Sequence, residues 1–192
     1  MRAAVLRSRI QLLALLGVAS VLALLPLFVT GALRTIAVRV LLAAGLGVAW
    51  NVMGGYGGHF SFGHAAYFGI GAYSGAVLVA EHGISPWLGM SLGAVLAGAF
   101  GAVTGWLAFR YRLKGAYFAL ATFAFAEMLR LVAMNQEFLN AARGLRVPVL
   151  PEPSWWMLQF PSGSANYYFV ILGMFVALQA ATILLMAPLL LA

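Results

Sequence analysis

The 192-residue chain has no cysteine, no aspartate among its four acidic residues, and only 8% charged residues. Each absence closes a class of function. Without cysteine there is neither a disulfide nor a thiolate metal site, and without aspartate no Ser–His–Asp relay can be assembled. The histidines His59, His64 and His82 offer a metal little. His59 and His64 are five positions apart, not the i, i+3 or i, i+4 spacing that places two ligands on one helix face. The Gly-x-x-x-x-Gly-Lys-Ser/Thr loop that cradles nucleotide phosphates is also missing. The chain therefore reads as no enzyme, with no metal or nucleotide cofactor of its own. Soluble domains carry about 25% charge, so a water-soluble fold is set aside as well.

What is abundant is apolar sequence: 64% hydrophobic residues and a mean hydropathy of +1.00. At about 20 apolar residues per crossing, the length accommodates about six spans. The expected fold is an all-α, polytopic transmembrane helical bundle occupying residues 1–192 as a single transmembrane domain, with no room for a soluble ATPase or receptor. A net charge of +7 would suggest nucleic acid in a soluble protein. Here the basic residues flank apolar runs, as the positive-inside rule requires, so the partner is the lipid bilayer and not nucleic acid.

Arg2, Arg7 and Arg9 precede an uncharged run, Ile10–Val29, too long for a signal-peptide core of about 7–15 residues and read as the first span. Thr30–Arg39 reads as an external turn, and Val38 to about Met53 as a second span. A third helix is expected from Ser61 or Phe62 to Ala80, with Ser61 as its N-cap. Pro86 should open a fourth, over Trp87–Phe109. Ala116–Met134 and Asn166–Ala187 complete the set. Alternation from a cytoplasmic N-terminus places Arg110, Arg112 and Lys114 inside and both termini in the cytoplasm. The pair Trp155-Trp156 reads as an interfacial belt in preference to a substrate platform.

Two glycine patterns stand out. Gly89, Gly93, Ala97, Gly101 and Gly105 recur every fourth residue, and Gly71 and Gly75 repeat that spacing. Small residues at this interval let helix backbones approach closely, so they read as packing surfaces. Gly54, Gly55, Gly57 and Gly58 instead crowd into five positions, each costing a helix about 1 kcal/mol relative to alanine. A break here leaves backbone groups that lipid cannot satisfy, and such interrupted segments point to a transporter's solute route. The resumed helix would aim the positive end of its dipole into the break.

Glu127 falls in the fifth apolar run with Arg130 three positions on. An ionisable group in a span costs about 2.5–3.5 kcal/mol and normally faces protein or water. Three readings stand: an ion pair at the outer interface, a place in the transport path, or contact with a partner subunit. His64 reads as a donor to backbone groups freed by the break, with a proton relay as the alternative. The candidate path residues are Asn51, Gly54, Gly57, Gly58, Ser61, His64, Tyr73 and Glu127. The packing set is Gly71, Gly75, Gly89, Gly93, Gly101 and Gly105.

The block Asn51-Val-Met-Gly-Gly-Tyr-Gly-Gly-His-Phe-Ser-Phe-Gly-His-Ala-Ala-Tyr-Phe-Gly-Ile-Gly-Ala-Tyr73, followed by Leu113-Lys-Gly-Ala-Tyr-Phe-Ala-Leu-Ala-Thr-Phe-Ala-Phe-Ala-Glu-Met-Leu-Arg130, resembles the permeases of branched-chain amino acid ABC importers. The resemblance is to the larger of the two paralogous permease subunits. Asn51, Gly54, Gly57, Ser61, Gly63, His64, Gly71 and Tyr73 match the first motif. Gly115, Tyr117, Thr122, Glu127 and Arg130 match the second. The resemblance implies a bacterial inner-membrane subunit working with a second, paralogous permease. Cytoplasmic ATP-binding subunits would spend the ATP, and a periplasmic amino acid binding protein would deliver the ligand. The family's Gly-Gly-rich external segment is reduced here to Asn140-Ala-Ala-Arg-Gly-Leu145. Members continue into further spans and a coupling helix, so the resemblance covers a truncated, N-terminal portion. Two rival readings are an ion-coupled half-transporter acting as a homodimer, with Glu127 or His64 as proton site, and a non-transporting remnant.

Overall fold

The structure, a computed structural model, describes residues 2–149, 152–161 and 164–189, and among these the side chains from residue 10 except 142 and 187–189. Pro151 of the external segment and the side chains of Arg2, Arg7 and Arg9 lie outside the described set. The described chain forms α1 (Arg2–Phe28), α2 (Ala32–Asn51), α3 (His64–His82), α4 (Pro86–Arg110), α5 (Ala116–Asn135) and α6 (Ala165–Leu189). A π-helical turn, Val52–Tyr56, extends α2, and two 3₁₀ turns follow α5. Five of the helices are long and apolar enough to cross a membrane. The helix missing from that set is α3, which carries Glu81 and His82 at its end and two tyrosines and a serine within.

Contacts divide the chain into two compact units, residues 1–57 with 160–192, and residues 58–159. In the first, α1 and α2 both pack on α6 around Leu41, Tyr168 and Leu172. A proline inside α1 shapes this packing. Pro26 has no N–H to donate to the carbonyl four residues back, and that carbonyl, Leu22 O, accepts the Tyr168 hydroxyl at 2.8 Å. Tyr168 is fully buried. The turn after α1 is shorter than the expected Thr30–Arg39. Gly31, at φ +58°, reverses the chain so tightly that Arg34 and Arg39 fall within α2. Arg34 then reaches back and donates to the carbonyls of Pro26 (2.8 Å) and Val29 (3.2 Å), covering acceptors that the end of α1 leaves open.

In the second unit α3 and α4 form an antiparallel hairpin. Gly83 adopts φ +61°, and the Gly83 and Ile84 N–H groups close onto Val79 O (3.2 Å) and Leu78 O (3.0 Å), the Gly83 bond being the 5→1 closure of an αL stop. Ser85 caps α4 by accepting from Trp87 N, with Pro86 at the first helical position as expected. The two helices touch backbone to backbone. A Cβ on Gly89 would lie 2.7 Å from Gly75 Cα, and one on Gly93 2.8 Å from Gly71 Cα. Gly101 instead makes room for the Tyr67 ring, 3.6 Å from its would-be Cβ.

Gly105 does not share this role. The nearest atom to a Cβ there belongs to Phe109, on its own helix. The reason is geometric: a four-residue step overshoots the 3.6-residue turn, so by Gly105 the stripe has rotated roughly 160° from Gly89. Thr104 and Ala108 are the buried residues at that level. Beyond α5, the turn at Trp155–Trp156 is pinned through its backbone. Trp155 O accepts from Trp87 Nε1 at 3.1 Å and Trp156 O from Ser85 Oγ at 2.5 Å, while both indole rings stay exposed.

Candidate functional site

The glycine cluster interrupts the helix, but later than its first glycine. Gly54 and Gly55 sit inside the π-helical turn, and helical geometry persists to Gly57, whose N–H bonds Val52 O at 3.0 Å. The glycines are needed there because two side chains fold over them. A Cβ on Gly54 would come within 2.7 Å of the Trp50 ring, and one on Gly55 would run into Asn51 Oδ1. A Cβ on Gly57 would meet the Met53 carbonyl oxygen at 2.7 Å. Gly58, at φ +64°, then turns the chain out of the helix, and no helix forms until His64.

The segment that follows is held by α5. Phe62 N–H donates to Thr122 Oγ1 (3.1 Å), and that hydroxyl in turn donates to Ala119 O (2.9 Å). Gly63 lies so close to α5 that a Cβ would be 3.2 Å from Thr122 O. His59 sets its ring edge-on to Phe109 and Phe118, at centroid distances of 5.3 and 5.1 Å.

Ser61 is 1% exposed and is not the N-cap. Its hydroxyl accepts from Gly63 N at 3.2 Å, two residues on, which delays the start of α3 to His64. Two amides that would have faced the break are thereby occupied by side-chain hydroxyls. His64, first residue of α3, sets its ring edge-on to Tyr67 at 5.7 Å, and Tyr67 meets Thr104 of α4 through its hydroxyl at 3.1 Å.

Two cavities take up the remaining candidates. In the first unit, a space of about 600 Å³ is bordered by Asn51, Tyr56, Gln11, Gln179 and Thr182. In the second, a cleft of about 600 Å³ lies between α3 and α5 and is lined also by Phe138 and Leu139. Tyr73 lines one wall and Glu127 with Arg130 the other, and Phe62, Ile70 and Phe123 supply much of the apolar surface. Glu127 and Arg130 form a two-pronged ion pair, with Arg130 Nε 2.8 Å from Glu127 Oε2. Arg130 also approaches Met134 Sδ at 2.8 Å.

The structure thus brings Tyr73 and Glu127 to one cleft and places Asn51 at another cavity. Phe62, Phe123 and Phe138 were not among the sequence candidates. Phe62 stands in the resembling block next to Ser61, but nothing in its spacing marks it, and Phe138 enters only through the 3₁₀ turn Glu137–Leu139. Among the described residues no three His, Asp or Glu side chains stand together as a metal site.

Comparison with known proteins bears on the whole of this region. Residues 28–191 match the family described as the branched-chain amino acid transport system permease component. Two curated relatives are each 29% identical over 136 residues, covering 70% of this chain: the high-affinity branched-chain amino acid transport system permease proteins LivM of Escherichia coli strain K12 and of Salmonella typhimurium strain LT2. The chain spans 31% of the length of either relative. No solved structure gives a significant match.

Proposed function

We infer, for a chain that belongs to the branched-chain amino acid transport permease family and is a multi-pass membrane protein, that it is a permease subunit of an ATP-driven importer. Its cargo would be branched-chain or related amino acids, and its place the bacterial inner membrane. A second, paralogous permease, cytoplasmic ATP-binding subunits and a periplasmic amino acid binding protein complete the proposed assembly, and ATP is bound by those subunits only. The observation that carries this reading is the interruption Gly57–Gly63. Non-helical backbone at membrane depth is tolerable only where protein or a water-filled cavity covers it, and in transporters it borders the solute. On this reading the second unit's part of the path is the interruption from Gly58 and the α3–α5 cleft, with Gly58, Ser61 and His64 shaping the backbone and Tyr73 and Glu127 meeting the solute, while in the first unit Asn51, Gly54 and Gly57 shape the end of α2.

Deleting the chain from its own cells tests this. Uptake of labelled leucine, isoleucine and valine should fall, return on complementation, and stop when ATP is depleted while surviving collapse of the proton gradient. Unchanged uptake in the deletion strain overturns the proposal. Uptake that follows the proton gradient favours the ion-coupled reading instead.

A further inference from the structure

Glu127 and Arg130 already satisfy each other, and a mutually satisfied pair on an apolar helix could have faced a neighbouring helix. Instead both line the α3–α5 cleft, with side chains 39% and 55% exposed. The rest of that cleft is almost wholly aliphatic and aromatic, apart from Tyr73 on the facing wall and Gln136 near one end. The cleft therefore offers one anionic group, one cationic group and an apolar chamber.

We propose that the α3–α5 cleft is a recognition site for the zwitterionic head of an apolar α-amino acid, Glu127 taking the ammonium and Arg130 the carboxylate. This rests on the transport reading above and deepens it. The chemistry favours an exchange. An unpaired charge in a span is costly, so opening the ion pair for a neutral polar solute would strand two charges. An α-amino acid carries the complementary pair on a single carbon. Inserting it between Glu127 and Arg130 replaces one ion pair by two, and the cleft stays neutral throughout. Arg130 presents a planar fork suited to a carboxylate, and the apolar side chain is left pointing at Phe62, Ile70 and Phe123. A carboxylic acid lacking the amine, or an amide lacking the carboxylate, satisfies only one half of the opened pair and should be refused.

The absence of native cysteine makes the test direct. Ala65→Cys puts a single thiol on the exposed α3 wall of the cleft, to be labelled with a maleimide in membranes holding the full chain. Leucine should slow labelling, whereas leucinamide and 4-methylpentanoate should not. With Arg130→Gln, the leucine concentration needed for protection should rise about 10- to 100-fold, the scale set by one charged hydrogen bond, and leucinamide should now protect as well as leucine. Glu127→Gln should do the same for 4-methylpentanoate.

A separate variant leaves the ion pair in place. Gly69→Leu adds bulk where a Cβ meets nothing within 4 Å, and it should weaken protection by leucine more than by alanine. Analogue preferences that do not change in the charge variants, or equal protection by all three compounds in the parent, overturn the assignment. Leucine uptake by the same cells is read in parallel. Normal uptake with no protection sinks this site alone, and protection without uptake sinks the transport reading alone.

Discussion

Tyr168 shows how one residue can repair another's defect. Its hydroxyl occupies the carbonyl that Pro26 leaves without a helical partner, and the tyrosine itself is fully buried. Tyr168→Phe should therefore cost about 1–3 kcal/mol, the range for leaving a buried acceptor unsatisfied. In a Pro26→Ala background the restored N–H can bond Leu22 O, and the cost of Tyr168→Phe should shrink to a few tenths of a kcal/mol, as for a removable hydroxyl. Thermal unfolding of the four proteins in detergent measures the coupling, and equal costs in both backgrounds would refute it. Thr122 stands in the same relation to the interruption, since its hydroxyl takes the Phe62 N–H. Thr122→Val keeps the shape but orphans that donor, and should cost about 1–3 kcal/mol. Thr122→Ser, which keeps the acceptor, should stay close to the parent. Neither pairing could be read from sequence. Pro26 announces a lost hydrogen bond, but its replacement lies 142 positions away on another helix, and a threonine in an apolar run does not say whose amide it holds.

At the scale of the element, the α3–α4 hairpin turns on four glycines in two facing pairs. Gly89→Ala places a methyl 2.7 Å from Gly75 Cα, with backbone on both sides. The helices must part, at a cost of about 1–3 kcal/mol. Gly98→Ala, where an added Cβ meets nothing within 4 Å, should instead be neutral or stabilising by up to about 1 kcal/mol through helix propensity. Unfolding midpoints that shift alike for the two variants would remove the close-packing account. The four-residue interval was legible because small residues at this spacing have one strong use in a membrane. Its end was not, because a pattern of fours outruns a helix of 3.6 residues per turn and Gly105 drifts off the contact face. The interruption followed the same course. Crowded glycines signalled that α2 must fail, but the π-helical turn under Trp50 and Asn51 carried the helix past Gly54 and Gly55 before Gly58 ended it. The Ser61 N-cap failed for a kindred reason: its hydroxyl serves a turn one step earlier than the helix.

For the whole molecule, the unresolved question in sequence terms was how many times the chain crosses the bilayer, and α3 decides it. Its 19 residues extend roughly 28 Å at 1.5 Å per residue, close to a hydrocarbon thickness of about 30 Å, yet its composition leaves it out of the five apolar spans. If α3 crosses, four crossings from a cytoplasmic N-terminus return Arg110, Arg112 and Lys114 to the cytoplasm, where the positive-inside rule wants them. If it does not, the same three cations face outward. The backbone contacts of Gly71 and Gly75 with α4 favour crossing, since they hold α3 alongside a full-length span and let α4 shield its polar positions, as Thr104 does for the Tyr67 hydroxyl. We therefore expect α3 to traverse. With no native thiol to remove, single cysteines at His82, Tyr111 and Trp155 can be tested in intact spheroplasts with a membrane-impermeant maleimide. His82→Cys and Trp155→Cys should react from outside, and Tyr111→Cys only after the membrane is opened. A fourth cysteine at the exposed Phe60, ahead of α3, reports on α3 whatever the orientation of the N-terminus. Phe60→Cys labelling from the same side as His82→Cys would show that α3 does not cross, and external labelling at Tyr111 would place the Arg110–Lys114 turn outside.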